Sequence, residues 1–189
     1  MDQDQFTEDE RIPYWVDLWP ASIVLAEWLY SNRRRLHKAF CLDIGCGLGL
    51  TSLGLDKYAS RVLALDYEFE ALQYAQHNAF INHLPSPSLV QMDWRNPGFQ
   101  NNIFSFIWGA DIVYEKRFFP PLIELFDVAL APEGIIWLTS PNRQVDTSFW
   151  QLLGRRGWQT LVRQTLTKSC PQGMSTKIFL WEITRHTSS

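Results

Sequence analysis

The sequence has few cysteines, no large excess of either charge and no apolar run long enough to span a bilayer, and each shortage excludes a class of protein. Its three cysteines, Cys41, Cys46 and Cys170, cannot pair off into a disulfide framework and fit no metal-ligand spacing. A reducing cytoplasm is the expected setting, with no metal. Seventeen Lys and Arg stand against 20 Asp and Glu, a net charge of −3, so the basic excess that drives non-specific nucleic-acid binding is missing. The opening Met1-Asp2-Gln3-Asp4-Gln5 is acidic and polar where a signal peptide is basic and then apolar, so a soluble chain with no membrane partner is expected. The four histidines are scattered; His77 and His83 miss the i, i+4 spacing of a helical metal pair. No Gly-x-Ser-x-Gly elbow of a simple hydrolase occurs either.

What the chain has in quantity is aromatic side chains, with 9 Trp, 6 Tyr and 12 Phe in 189 residues. That length suits one well-cored domain and no second. Residues 1–12, carrying Asp2, Asp4, Glu8, Asp9 and Glu10 against Arg11, read as a flexible arm ahead of a single domain over 13–189.

From Pro20, Ile23, Ala26 and Leu29/Tyr30 fall at helical spacing, and the helix ends at Ser31-Asn32 before the solvated Arg33-Arg34-Arg35 corner. Apolar runs follow at 39–44, 61–65, 89–92, 103–108 and 135–139, and their near-continuous character suits strands buried on both faces of a parallel sheet. Helical periods separate them, with Phe69, Leu72, Ala75 and Ala79 on one predicted stripe and Leu122, Leu125, Phe126 and Ala129 on another. Sustained alternation of this kind selects an α/β, doubly wound, Rossmann-like fold with helices on both faces. After a helix near 148–153, Trp158 to Leu166 and Ser175 to Thr184 are joined by a loop too short for a crossover, which predicts an antiparallel C-terminal hairpin on a mostly parallel sheet.

Asp43-Ile44-Gly45-Cys46-Gly47-Leu48-Gly49 ends the first strand and is expected to open a helix. Glycines there let the backbone turn sharply and approach a ligand. The segment is not a P-loop, because Leu55-Asp56 follows Gly54 where Lys-[Ser/Thr] belongs. Nor is it the dinucleotide fingerprint, since Leu50 stands where the third glycine is needed. Asp66 ends the second strand, where a carboxylate accepts both ribose hydroxyls, although an acid there also serves to cap the following helix. Asp93-Trp94 follows the third strand and offers an acceptor for an adenine amine and a ring for its face. Three successive strand ends thus each supply a part of a nucleoside site.

These residues resemble the first motif, the acidic ribose position and the adenine position of class I, seven-strand S-adenosylmethionine-dependent methyltransferases. Within that class, Pro13-Tyr14-Trp15-Val16-Asp17-Leu18-Trp19-Pro20-Ala21-Ser22 and Gly109-Ala110-Asp111-Ile112-Val113-Tyr114 resemble the Trp-Pro segment and the Asp-x-x-Tyr signature of the methyltransferase-like protein-lysine methyltransferases. The resemblance implies S-adenosyl-L-methionine as cofactor, held by Trp19, Asp43, Gly45, Gly47, Gly49, Asp66, Asp93, Trp94 and Ala110. It implies a protein lysine as acceptor, faced by Asp111 and Tyr114, with Trp15 or Trp19 completing an aromatic slot. The Asn/Asp-Pro-Pro-Tyr/Phe tetrapeptide of amide and adenine-amine methyltransferases is absent, which speaks against those acceptors. A small-molecule methyltransferase and a non-catalytic cofactor-binding module remain the competing readings. The open end of the site, expected from 12–19, 141–147 and 168–173, would set substrate choice. Of the tryptophans, Trp15, Trp19 and Trp94 are expected at the site and the other six in the packing.

Overall fold

In the computed structural model, which describes residues 14–59, 61–141, 146–169 and 175–186, one seven-stranded sheet carries the chain. Its strands are β1 (Phe40–Ile44), β2 (Arg61–Asp66), β3 (Ser88–Gln91), β4 (Phe104–Ala110), β5 (Leu130–Pro141), β6 (Trp158–Ser169) and β7 (Ser175–Arg185). They lie in the order β3-β2-β1-β4-β5-β7-β6. β1 to β5 pair in parallel, and β7 runs antiparallel to both β5 and β6. The expected C-terminal hairpin is present, with β7 inside the sheet and β6 at its edge. β5 begins earlier than the apolar run suggests: Leu130 pairs with Phe104 and Ile135 with Phe106, so Ala131 to Gly134 bulge out between them.

Helices cover both faces. α1 (Pro20–Ser31) and α2 (Phe69–Ile81) lie on one side, because β2 turns Val62 toward the cluster around α1 and Ala64 toward Leu72 of α2. α3 (Phe119–Ala129) and α4 (Asp146–Arg155) cover the other side, where Leu122, Phe126, Phe149 and Leu153 pack on Leu42, Ile44, Phe104 and Ile107. The buried stripe of α1 is Ala21, Val24, Leu25 and Leu29; of the Ile23, Ala26 and Leu29/Tyr30 set expected from spacing it keeps Leu29 but is rotated away from Ile23, Ala26 and the exposed Tyr30. Trp28 explains the rotation, since its ring meets Trp137 of β5 edge-on at 6.0 Å. Trp137 in turn donates from Nε1 to Glu182 of β7 at 3.0 Å, and Arg163 and Arg35 also engage that carboxylate. Burial opposes the charge on Glu182, but these donors and cations outweigh it and hold its pKa below the usual range.

Two expected helical features are corrected. No regular helix follows the glycine loop; turns run from Gly47 to Gly54 and give a short 3₁₀ segment at Leu55–Lys57, because Gly47, Gly49 and Gly54 all sit at positive φ and interrupt a helical path. Phe69 is not on the buried stripe of α2, which consists of Ala71, Leu72, Ala75 and Ala79.

Gly49 sets how closely the loop approaches α2. Its φ is +87°, and a Cβ there would stand 3.0 Å from the Cβ of Ala75 and 3.3 Å from its Cα. Gly49→Val is therefore expected to cost about 2–4 kcal/mol by urea unfolding, through strain and overpacking together. Gly154→Ala is the control. It lies in α4 with nothing within 4 Å of an added Cβ, so this change is expected to be neutral or to stabilise by about 0.5–1 kcal/mol.

Candidate active site

The ends of β1, β2, β3 and β4 open on one cleft of about 740 Å³, a size suited to a small-molecule ligand. The strand order reverses between β1 and β4, and a doubly wound sheet places its crevice at such a reversal.

The glycine loop forms one wall. Cys46 donates its N–H to the carbonyl of Leu65 at 3.0 Å, and Gly47 donates to Asp66 Oδ2 at 2.9 Å, so the loop is tied to the end of β2. Asn78 of α2 donates to the carbonyl of Leu48 at 2.9 Å from the far side. Asp66 Oδ1 accepts the Glu68 N–H at 3.0 Å and so steadies the turn into α2, but it is not the cap of that helix: Glu68 is the N-cap residue and no side-chain cap bond is made. Burial raises the pKa of Asp66, while the N–H groups of Glu68, Gly47 and Tyr67 pull it back. A carboxylate has about four acceptor positions, so Asp66 retains capacity toward the cleft it lines.

The opposite wall comes from β3, β4 and the segment before α1. Trp94 lies over the loop, with its Cζ3 3.8 Å from where a Cβ on Gly45 would be, and Phe118 braces it edge-on at 5.7 Å. Asp93 is already engaged: Arg95 donates Nε to Oδ1 and Oδ2 at 2.9 and 2.8 Å and its N–H to Oδ1 at 2.9 Å. That guanidinium holds the Asp93 pKa below the carboxylate range. An adenine amine would therefore have to share Asp93 with Arg95. Beyond Ala110, Asp111 adopts φ +55° and donates its N–H to the Thr139 carbonyl at 2.8 Å. A left-handed aspartate at a strand end is the kind of local strain that functional sites retain. Tyr114 faces Tyr14, ring centroids 5.6 Å apart, and its pKa is pushed up to about 12 by burial, then by the charges of Glu115, Tyr14 and Asp66.

The segment Tyr14 to Trp19 closes the top. Trp19 donates Nε1 to the Tyr14 carbonyl at 2.7 Å, and its own carbonyl accepts the Ser22 hydroxyl at 2.7 Å in the first turn of α1. Trp15 packs on Tyr74 of α2 at 5.4 Å and lies against Gly47. The ring opposite Tyr114 is thus Tyr14, rather than Trp15.

Trp19, Gly45, Gly47, Asp66, Asp93, Trp94, Ala110, Asp111 and Tyr114 all line the cleft. Asp43 and Gly49 do not. Asp43 is fully buried beneath the loop, where its Oδ2 accepts the Thr51 hydroxyl at 2.6 Å and its Oδ1 has no hydrogen-bond partner among the described residues. Its contribution is to hold Thr51, which does line the cleft. Tyr14, Thr51, Arg95 and Phe118 were not singled out in the sequence. Arg95 left a local sign, two positions after Asp93, and Tyr14 lies inside the Pro13 to Ser22 segment. Residues 142–145 and 170–174, and with them much of the expected substrate-selecting rim, lie outside the described residues, as does the 1–12 arm. Among the described residues no His, Cys, Asp and Glu cluster is placed to hold a metal, and no helix is long and apolar enough to cross a membrane.

The profile described as lysine methyltransferase matches residues 3–156 of this sequence. Mouse histone-arginine methyltransferase METTL23 is 27% identical over 152 residues, covering 76% of this chain and 59% of that protein. Xenopus tropicalis protein N-lysine methyltransferase METTL21A is 27% identical over 142 residues, covering 72% and 65%. The match thus spans about three-fifths of the length of these relatives. Among solved structures, the YcgJ protein of Bacillus superposes with a TM-score of 0.72 at 12% identity, covering 86% of this chain and 99% of that one. Magnesium protoporphyrin IX methyltransferase of Synechocystis, solved with bound SAM, superposes at 0.63 with 17% identity, covering 85% and 77%.

Burial drives the Asp43 pKa from 3.8 to about 7, against the lowering effect of Thr51, Trp108 and Ser52. Because the folded value lies above the unfolded one, its favourable contribution is complete below about pH 4 and is lost as pH rises through about 7. Three units correspond to at most about 4 kcal/mol. Urea unfolding of wild type and Asp43→Asn should therefore show the stability difference moving in favour of the variant between pH 4 and 7, and staying level above that range.

Proposed function

This chain belongs to the lysine methyltransferase family, and we propose that it transfers a methyl group from S-adenosylmethionine to a protein lysine, as a single catalytic domain over residues 13–189. The observation that carries the reading is the placement of two chemistries on one cleft. The glycine loop and Asp66 form a nucleoside cradle on one side, and Asp111, Tyr114 and Tyr14 form an acceptor slot on the other.

The residues present fit the cofactor. Gly45 leaves room that a Cβ would take, since that atom would lie 3.0 Å from Ile112 Cγ2, and its φ of +64° disfavours any side chain. Asp66 offers acceptor capacity for ribose hydroxyls, Trp94 a ring face for the base, and the turn at Gly45 to Gly47 a backbone surface for the amino-acid end. When bound, the cofactor supplies an electrophilic methyl on a sulfonium, and the protein's part is positioning and exclusion of water.

A lysine amine has an ordinary pKa near 10.4 and must lose its proton before it attacks. Desolvation between the Tyr14 and Tyr114 rings lowers that pKa, while the ring faces hold the arriving cation. With its pKa near 12, Tyr114 stays a phenol and is no base at neutral pH. Asp111 orients the amine by accepting a hydrogen bond, from a left-handed backbone position anchored by its N–H bond to Thr139. The free thiols of Cys41 and Cys46 suit a reducing cytoplasm, where we place the activity.

Two tests address this reading. Calorimetric titration with S-adenosylmethionine should show binding, weakened about 10- to 100-fold by Asp66→Ala, the loss expected for a charged hydrogen-bond acceptor. With tritiated cofactor and a soluble cell extract, label should enter protein and co-elute with methyl-lysine after acid hydrolysis. Asp111→Asn and Tyr114→Phe should each lower that transfer by about 100-fold or more while cofactor binding persists. Full transfer by both variants would remove Asp111 and Tyr114 from the mechanism. Methyl-arginine, the product named for METTL23, would move the acceptor to a guanidinium, and label in small molecules alone would make this a small-molecule enzyme.

A further inference from the structure

Asp43 is a buried carboxylate with no cation beside it among the described residues. Thr51 donates its hydroxyl to Oδ2 at 2.6 Å, and Oδ1 has no hydrogen-bond partner. Trp108 pairs with it in register on β4 and eases its charge, although Trp108 Nε1 meets no acceptor at hydrogen-bond geometry. Ser52 turns its hydroxyl to the Gly49 carbonyl at 3.2 Å. The titratable groups that bear on Asp43 bring no positive charge: Asp66 is itself an acid, and burial together with Asp43 and Asp66 keeps Cys46 a neutral thiol. Arg95 and Arg117, the two cations among the described residues lining the cleft, are held by Asp93 and Glu115. A buried charge is ordinarily paired, and without a cation this one is divided between its two protonation states at neutral pH, its pKa raised to about 7.

Thr51 joins this carboxylate to the cleft, which it lines beside Gly47, Leu48 and Leu50. Because its hydroxyl proton is committed to Asp43, Oγ1 has only lone pairs to offer a ligand. A bond to a charged acceptor also polarises the hydroxyl and makes its oxygen a stronger acceptor in turn.

We propose that Thr51 is a cofactor-binding residue, its Oγ1 accepting a hydrogen bond from the ammonium of S-adenosylmethionine, and that Asp43 acts through it as the positioning residue that balances that charge. This deepens the cofactor reading above and rests on it. The sulfonium has no N–H or O–H to donate, so of the cofactor's two positive groups the ammonium is the one that suits an acceptor oxygen.

Calorimetric titration with three ligands separates such a contact from an effect on loop shape. S-adenosylmethionine has the ammonium and the carboxylate, its decarboxylated form the ammonium alone, and 5′-methylthioadenosine neither. Thr51→Val should weaken the first two about 10- to 100-fold and leave the third within about twofold, with Thr51→Ser close to wild type on all three. Between about pH 5.5 and 7 the wild-type affinity for S-adenosylmethionine should rise about tenfold, because the bound ammonium favours the ionised form of Asp43. The ligand's own amine stays charged over that range. Asp43→Asn should remove most of the rise and leave the part that Asp66 contributes. Unchanged binding by Thr51→Val, equal loss of all three ligands, or loss of S-adenosylmethionine with the decarboxylated form spared overturns the proposal and leaves the cofactor reading standing. A pH profile that Asp43→Asn does not flatten overturns it as well, and that comparison decides the matter if Thr51→Val does not fold. No binding of S-adenosylmethionine by wild type removes the underlying reading, and the proposal with it.

Discussion

The hydrogen bond from the Gly47 N–H to the Asp66 carboxylate carries the β1–β2 pairing past the strand ends into the glycine loop, and that loop walls the cleft. Without it the glycine loop is a run of turns with positive φ and little reason to hold one conformation. With it, and with the Cys46 to Leu65 bond beside it, the loop becomes an extension of β1 stitched to β2. The same carboxylate holds the Glu68 N–H, so the position of α2 and the shape of the cofactor wall depend on one side chain. Asp66 is therefore structural and available to a ligand at once.

Three aspartates near this wall show how environment divides one chemistry into different tasks. Asp43 and Asp66 are both raised by burial, but Asp43 is sealed beneath the loop with Thr51 on one oxygen, whereas Asp66 meets backbone donors at the rim of the cleft. Asp93, more exposed and gripped by Arg95, goes the other way. A carboxylate with a cation in close contact keeps its charge, and one sealed away from water and cations does so only near or above neutral pH. Residue type alone does not separate these outcomes.

The architecture was legible in the sequence because parallel strands buried on both faces leave near-continuous apolar runs, as 39–44, 61–65 and 103–108 do. Site positions at strand ends were legible for the same reason, since locating a strand locates its end; Gly45, Asp66, Trp94, Asp111 and Tyr114 all line one cleft. What periodicity cannot supply is the partner on the other side of a contact. Apolar spacing in α2 was visible, yet whether Phe69 meets the sheet or solvent depends on how the helix is rolled, and small alanines proved to be the packed face. Arg95 on Asp93, Tyr14 opposite Tyr114 and the exclusion of Asp43 from the cleft are likewise contacts or burials set by the folded arrangement. The failed helix after Gly49 was readable in principle, from three glycines in eight positions, but a strand followed by glycines and apolar residues also opens many true helices.

The placement of β7 between β5 and β6 has a temporal meaning. Synthesis delivers β5 first, then β6, and only afterwards the strand that must lie between them. Until Ser175–Arg185 leaves the ribosome, the outer edge of β5 is unpaired, Trp137 lacks its carboxylate partner on Glu182, and Trp158 to Ser169 has no neighbour to pair with. The nascent chain thus carries two open strand edges for the time needed to add its last two strands, the interval in which chaperone binding or misassembly competes with folding.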